Sequence, residues 1–223
     1  MSATVLVGAT GLIGQAVAAR LKPNSFDPCW LLVRRDIAPG LPHQQIQVVD
    51  FKQLEQQTQG LDLTGGTLIC TLGTTLRTAG SPEAFVAVDR DLVAQVAHWA
   101  RDRGVTHCLA VSSLGANADS RNLYLRTKGQ AEQELMALSF QRLTLMRPSL
   151  LLGERKEFRL GERAGELIGR VIWPLLVGPL RRYRPVEAEQ VARVLVHQAA
   201  SNSGPVIDIW ESERINRWQP DTD

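Results

Sequence analysis

Lysine is scarce in this chain of 223 residues: 4 lysines stand against 21 arginines, so a lysine at a telling spacing is a stronger signal than usual. Cysteine is scarcer still. Cys29, Cys70 and Cys108 sit singly inside apolar runs, with no CxxC pair and no Cys/His cluster at zinc-ligand spacing. That excludes a disulfide framework and a structural zinc site, and leaves buried reduced thiols as the expectation. His43, His98, His107 and His197 are dispersed, so no metal site and no histidine-activated nucleophile is expected. No apolar run approaches the roughly 20 residues needed to span a bilayer, so no transmembrane segment is expected. The chain opens directly into an apolar strand at residues 3–7 rather than into a signal peptide, which predicts a soluble, cytoplasmic protein. A net charge of +2 argues against nucleic acid as a partner, because such proteins usually carry a clustered basic face.

What is present reads as an α/β chain. Short apolar runs recur at 4–7, 30–33, 45–49, 67–72, 107–111, 143–146 and 206–209. Most are continuous rather than alternating, as strands buried on both faces are. Helical stretches are expected between them, near 14–22, 82–102, 123–139, 160–176 and 187–200. Ser81-Pro82-Glu83 reads as an N-cap with proline at the first helical position. Alternating strands and helices predict a Rossmann-type, doubly wound, mainly parallel sheet with helices on both faces. There is no internal repeat and no linker, so one domain over 1–223 is expected.

The first strand runs into Gly8-Ala9-Thr10-Gly11-Leu12-Ile13-Gly14 and then a helix. Gly8 permits the tight turn, Gly11 lets backbone N–H groups approach phosphates, and Gly14 lets the helix pack against the sheet. The helix N-terminus would then face the anion with unpaired N–H groups and a favourable dipole. A branched side chain at Gly11 is expected to fail by bulk and by backbone φ. The spacing is GxxGxxG, one residue wider than the usual dinucleotide fingerprint. Where NAD-binding chains carry a carboxylate, about twenty residues on, this chain has Arg34-Arg35. Guanidinium groups suit a ribose 2′-phosphate through charge-assisted bidentate bonds, which favours NADP(H) over NAD(H).

Tyr124 and Lys128 stand four residues apart on an expected helix, so both side chains share one face. An ammonium beside a phenol favours proton exchange with a substrate oxygen while hydride moves on the cofactor, and the same lysine can bond the nicotinamide ribose. Upstream, Val111-Ser112-Ser113 closes a strand at the carboxyl edge, where ligands bind in such sheets. Ser113 is the first choice for holding the substrate oxygen and Ser112 the alternate.

Taken in order, these residues resemble the short-chain dehydrogenase/reductases in their atypical branch, and within it the Tat-interacting-protein type of NADPH-binding oxidoreductase with its bacterial relatives. The likeness runs through GATGLIG, Arg34-Arg35, Val49-Asp50-Phe51, Cys70-Thr71-Leu72-Gly73-Thr74-Thr75 and Val88-Asp89-Arg90-Asp91. It continues through Ser112-Ser113-Leu114-Gly115-Ala116, Leu123-Tyr124-Leu125-Arg126-Thr127-Lys128-Gly129 and Arg147-Pro148, and weakens beyond residue 150. The resemblance implies that Asp50 bonds the adenine amino group with Phe51 beside it. Leu72 and Gly73 would line the dinucleotide with backbone, as would the turn residues Thr10, Leu12 and Ile13. Ser113, Tyr124 and Lys128 would form the catalytic set, and Pro148 and Ser149 would pass by the carboxamide. The asparagine of other branches has no clear counterpart; Asp89 lies near its place.

Residues from about 150 onward are expected to form the substrate side. The apolar stretch 164–176, followed by Arg181-Arg182-Tyr183-Arg184, reads as a core-packed helix with a solvated basic end, or as a lid or interface. The expected function is an NADP(H)-dependent oxidoreductase acting on an unidentified carbonyl or alcohol, as a monomer or homodimer. A dinucleotide-binding regulator is the alternative, since one fold hosts both.

Overall fold

The computed structural model describes residues 3–38, 40–153 and 176–220. Seven parallel strands form one sheet in the order β3-β2-β1-β4-β5-β6-β9. They are β1 Thr4–Val7, β2 Cys29–Val33, β3 Gln44–Val48, β4 Thr67–Cys70, β5 His107–Val111, β6 Arg142–Arg147 and β9 Ile207–Glu211. Two short strands, β7 Leu151–Leu152 and β8 Val186–Glu187, pair separately and in parallel. The doubly wound, parallel architecture expected of the sequence is the one formed.

The continuous apolar runs are explained by burial on both faces. In β1, Val5 and Val7 turn to one core while Leu6 turns to the other. The first core adds Leu68, Cys108 and Leu145 from the sheet, with Val96, Trp99 and Ala100 from helix α5, Val93–Asp102. The second joins Ile69, Leu109 and Met146 to Ile13 and Val17 of helix α1, Leu12–Ala18, and to Val191 and Leu195 of helix α7, Ala188–Ala200. Each fully buried Leu or Ile contributes about 1.5–3 kcal/mol, so both faces are well supported.

Between β3 and α5 come three short α-helices, α2 Leu54–Gln57, α3 Leu76–Ala79 and α4 Pro82–Val86. The Ser81 hydroxyl accepts from Ala84 N–H and caps α4, with Pro82 in the first turn as its missing donor allows. The expected single helix over 82–102 is instead interrupted. Residues Ala87–Leu92 widen into a π segment before α5 resumes the ordinary pitch, and Asp89 within it is fully buried. Such widened turns are frequent at functional sites. Helix α6, Leu123–Ala137, is capped by the Asn122 side chain, which accepts from Leu125 N–H. Helix α8, Ser212–Arg217, closes the described chain. The helix expected near 160–176 lies outside the described residues apart from residue 176, which is not helical.

Candidate functional site

The strand registers bring three loop starts to one edge of the sheet. Val7 lies beside Cys70 and Cys70 beside Ala110, so the chain leaves β1, β4 and β5 at nearly the same level. β1 is flanked by β2 on one side and β4 on the other, and a crevice opens where the strand order reverses. Backbone contact closes its floor. Gly8 has φ +92, a region that side chains disfavour, and a Cβ there would sit 2.7 Å from the Thr71 carbonyl carbon. A Cβ at Gly14 would lie 2.0 Å from Gly8 O, so only glycine lets α1 approach the turn this closely. Gly11 corrects one expectation. Its φ of −76 is ordinary backbone, so any intolerance to a side chain there comes from the space above it and not from φ.

Above this floor lies a cleft of about 510 Å³, a size suited to a substantial ligand. One wall is the turn at Thr10, Gly11, Leu12 and Ile13; the facing loop supplies Leu72, Gly73 and Thr74. At the inner end are Ser112, Tyr124 and Lys128. Leu151 of β7 lines the cleft as well, and with it Gln15, Thr71, Thr75 and Thr78. Sequence reasoning assigned no role to those five side chains, because nothing in a lone Gln or Leu distinguishes a cleft wall from a surface. The run Cys70 to Thr75 did signal its loop.

Charge at the inner end is arranged in buried pairs. The Lys128 ammonium is 2.7 Å from Asp89 Oδ1, and both residues are buried. Asp89 Oδ2 accepts from Thr74 N–H at 2.8 Å, tying this carboxylate to the cleft loop. The Tyr124 ring stacks on Phe85 of α4, with centroids 5.6 Å apart. One helical turn beyond Lys128, buried Glu132 takes two hydrogen bonds from Arg147, one of them 2.8 Å from Nε. That bonding pushes the Arg147 guanidinium above its ordinary value. Ser112 Oγ is buried without a hydrogen-bond partner among the described residues. It belongs to the lining of a cavity of about 10 Å³, shared with Asp89, Lys128 and Glu132, which is about the space of one water. Cys70, at the end of β4, is buried, and that burial pushes its thiol up to about 11.

Other expected site residues lie elsewhere. Gly8 and Gly14 are beneath the turn. Arg34 and Arg35 are exposed immediately after β2, whose Leu32 lies beside Val7, so they stand next to the glycine turn. Asp50 is exposed, and its Oδ1 accepts from Lys52 N–H at 3.0 Å, while Phe51 is packed into the first core. Ser113 is half-buried, its hydroxyl 3.4 Å from the Leu114 carbonyl. Pro148 accepts from Leu114 N–H through its carbonyl, and Ser149 N–H donates to Ser212 Oγ. Among the described residues no group of three His, Cys, Asp or Glu is placed to hold a metal ion, and no helix is long and apolar enough to cross a membrane.

Fold and crevice together define a dinucleotide-binding Rossmann protein. The family model described as NAD(P)H-binding matches residues 8–202, and the chain belongs to that family. It is 32% identical over 214 residues to "Protein FMP52, mitochondrial" of Eremothecium gossypii, covering 95% of this chain and 94% of the relative. It is also 32% identical over 225 residues to "Protein HTATIP2" of Rattus norvegicus, covering 98% and 89%. Among solved structures, the UDP-Glc/GlcNAc 4-epimerase of Campylobacter jejuni matches in fold with a TM-score of 0.68 at 9% identity, covering 96% of this chain and 82% of that one. The atypical short-chain dehydrogenase/reductase resemblance therefore holds. The cytoplasmic expectation does not: FMP52 relatives are named as mitochondrial proteins, and that overturns it.

Proposed function

We propose that this protein is an NADP(H)-dependent oxidoreductase acting on a carbonyl or alcohol. The observation that carries the reading is that Tyr124 and Lys128, one turn apart on α6, line the same cleft as the Thr10–Ile13 turn. The dinucleotide fits the backbone-closed floor, where a Cβ on Gly8 or Gly14 would collide with main chain. When bound, it supplies or accepts the hydride. Thr10, Leu12 and Ile13 would hold the pyrophosphate with backbone N–H groups, while Gly11, whose own N–H donates to Gly8 O at 3.0 Å, would let it approach; Leu72 and Gly73 would line its other side, and Arg34 and Arg35 would take the 2′-phosphate. Asp50 would bond the adenine amino group with Phe51 beside it, the Phe51 ring remaining in the first core, and Pro148 and Ser149 would border the nicotinamide end. Lys128 holds the ribose hydroxyls by its ammonium. Tyr124 gives its hydroxyl proton to the substrate oxygen in reduction and takes it back in oxidation. Ser113 steadies that oxygen; its own bond to Leu114 is long enough to surrender. Residues from about 150 onward complete the substrate side of a single domain.

The test is a carbonyl panel screened for NADPH oxidation with wild type, Tyr124→Phe and Lys128→Met. General acid–base catalysis contributes roughly 10²–10⁴-fold, so Tyr124→Phe should lower turnover on that order while leaving dinucleotide affinity intact. Lys128→Met should weaken both. Activity that survives Tyr124→Phe rules out this tyrosine as the acid, and tight NADPH binding without turnover across the panel favours a regulatory protein.

A further inference from the structure

We propose that the helix entering the site from the other side, residues 82–92, is a positioning element that sets both members of the Tyr124–Lys128 pair. The inference rests on the reading of Lys128 as the group that holds the dinucleotide ribose. Two contacts in matched register carry it. Phe85 and Asp89 are four residues apart on one helical path, as Tyr124 and Lys128 are on α6. Phe85 stacks on Tyr124 with centroids 5.6 Å apart and planes at 28°. Asp89 meets Lys128 at 2.7 Å.

Each contact is built to hold a side chain still. Phe85 is fully buried, so its ring has nowhere to move and gives the phenol a fixed wall. Asp89 is also fully buried, and among the described residues its Oδ1 meets only the ammonium while Oδ2 is occupied by Thr74 N–H. A buried carboxylate tethered through Oδ2, with Oδ1 facing the ammonium as an ion pair, holds the lysine in place. Asp89 lies within the π segment Ala87–Leu92, a kind of widened turn frequent at functional sites. Through Thr74 the same carboxylate also joins Lys128 to the loop that lines the opposite wall of the cleft. Neither Phe85 nor Asp89 needs to touch substrate. Each acts through the residue it holds.

The two contacts predict different losses, which a merely structural role would not. NADPH affinity, read by the fluorescence of the bound nucleotide, needs no substrate and separates them. Asp89→Asn should weaken NADPH binding on the order of tenfold, as expected when a buried ammonium loses the opposite charge that holds it. Phe85→Leu should leave affinity within about twofold while lowering turnover of any substrate found, since only the phenol loses its wall. In the Lys128→Met background, Asp89→Asn should cause no further loss of affinity, because its effect passes through the missing ammonium. That comparison stands even if Asp89→Asn alone fails to fold, since the double variant removes both buried charges. Equal affinity losses for Asp89→Asn and Phe85→Leu would overturn the inference and mark a general loosening. So would the same loss from Asp89→Asn with or without Lys128. If Lys128→Met itself leaves NADPH affinity untouched, the reading of the site falls, and this inference with it.

Discussion

The two halves of the cleft are made of different materials. The side formed by β1, α1 and the Thr71 loop is made of main chain: Gly8 and Gly14 meet carbonyl groups at distances no side chain would allow. The side formed by β5, α6 and the 82–92 helix is made of charge. Buried Asp89, Lys128 and Glu132 lie there, and buried His107 and Asp208 stand on the same half of the sheet. On the first side, shape is held by close packing that a single methyl group would break. On the second, it is held by pairs of groups whose burial is tolerated only because each has a partner. A backbone site grips a ligand feature common to many molecules, whereas a side-chain site can be retuned one residue at a time.

The largest effect that would sharpen this contrast is expected at Gly14. Gly14→Ala should destabilise the protein by about 4 kcal/mol or prevent folding, because its methyl group would be driven into Gly8 O. Gly11→Ala, with 3.4 Å to the same atom, should fold nearly normally. Urea denaturation of both variants decides the matter; equal stabilities would mean that the turn relaxes and that main-chain packing is not what shapes this wall.

On the charged side, Glu132→Leu should cost about 3 kcal/mol, since it leaves Arg147 without its carboxylate. The double variant Glu132→Leu/Arg147→Met should recover much of that loss, as two apolar groups do where one stranded charge cannot. Thermal melts of the single and double variants would show strict additivity if the pair were unimportant.

A smaller effect should appear in the pH dependence of stability. His107, bonded to Thr144 Oγ1 at 3.1 Å, is held down to about 3 by burial and, secondarily, by the Arg142 charge. The fold keeps this imidazole neutral while an unfolded one takes up a proton near 6.5, so between those values the unfolded chain binds more protons. Stability present at neutral pH is therefore lost as pH falls from about 6.5 towards 3. Between pH 7.5 and 5 the loss should be about 2 kcal/mol. Urea titrations of wild type and His107→Asn at both pH values check this, and a wild-type slope that survives in the variant would assign it to other groups.

The smallest effect is expected at Arg34 and Arg35, which are exposed and thus screened by solvent and salt. Replacing both with alanine should weaken NADPH binding about tenfold and NADH binding little, with the difference shrinking as salt is raised. Calorimetric titration of each dinucleotide measures it, and equal losses for the two nucleotides would remove these arginines from 2′-phosphate recognition.

Residue order by itself determined the sheet and the glycine turn, for a local reason. A continuous apolar run can be satisfied only by burial on both faces, and a GxxGxxG between such a run and a helix leaves few geometries open. Tyr124 and Lys128 were legible too, because helical spacing alone puts them on one face. Only the tertiary structure decided what surrounds them. Asp89 could be placed near a family position from its sequence, but not paired with Lys128 across 39 residues, nor set within a π segment that no propensity signals. Likewise nothing near Glu132 in the chain announces Arg147, and nothing near Phe85 announces Tyr124. Burial of a charge depends on what the fold brings to meet it, and that meeting is set by the packing of α6 against the 82–92 helix and the ends of β5 and β6.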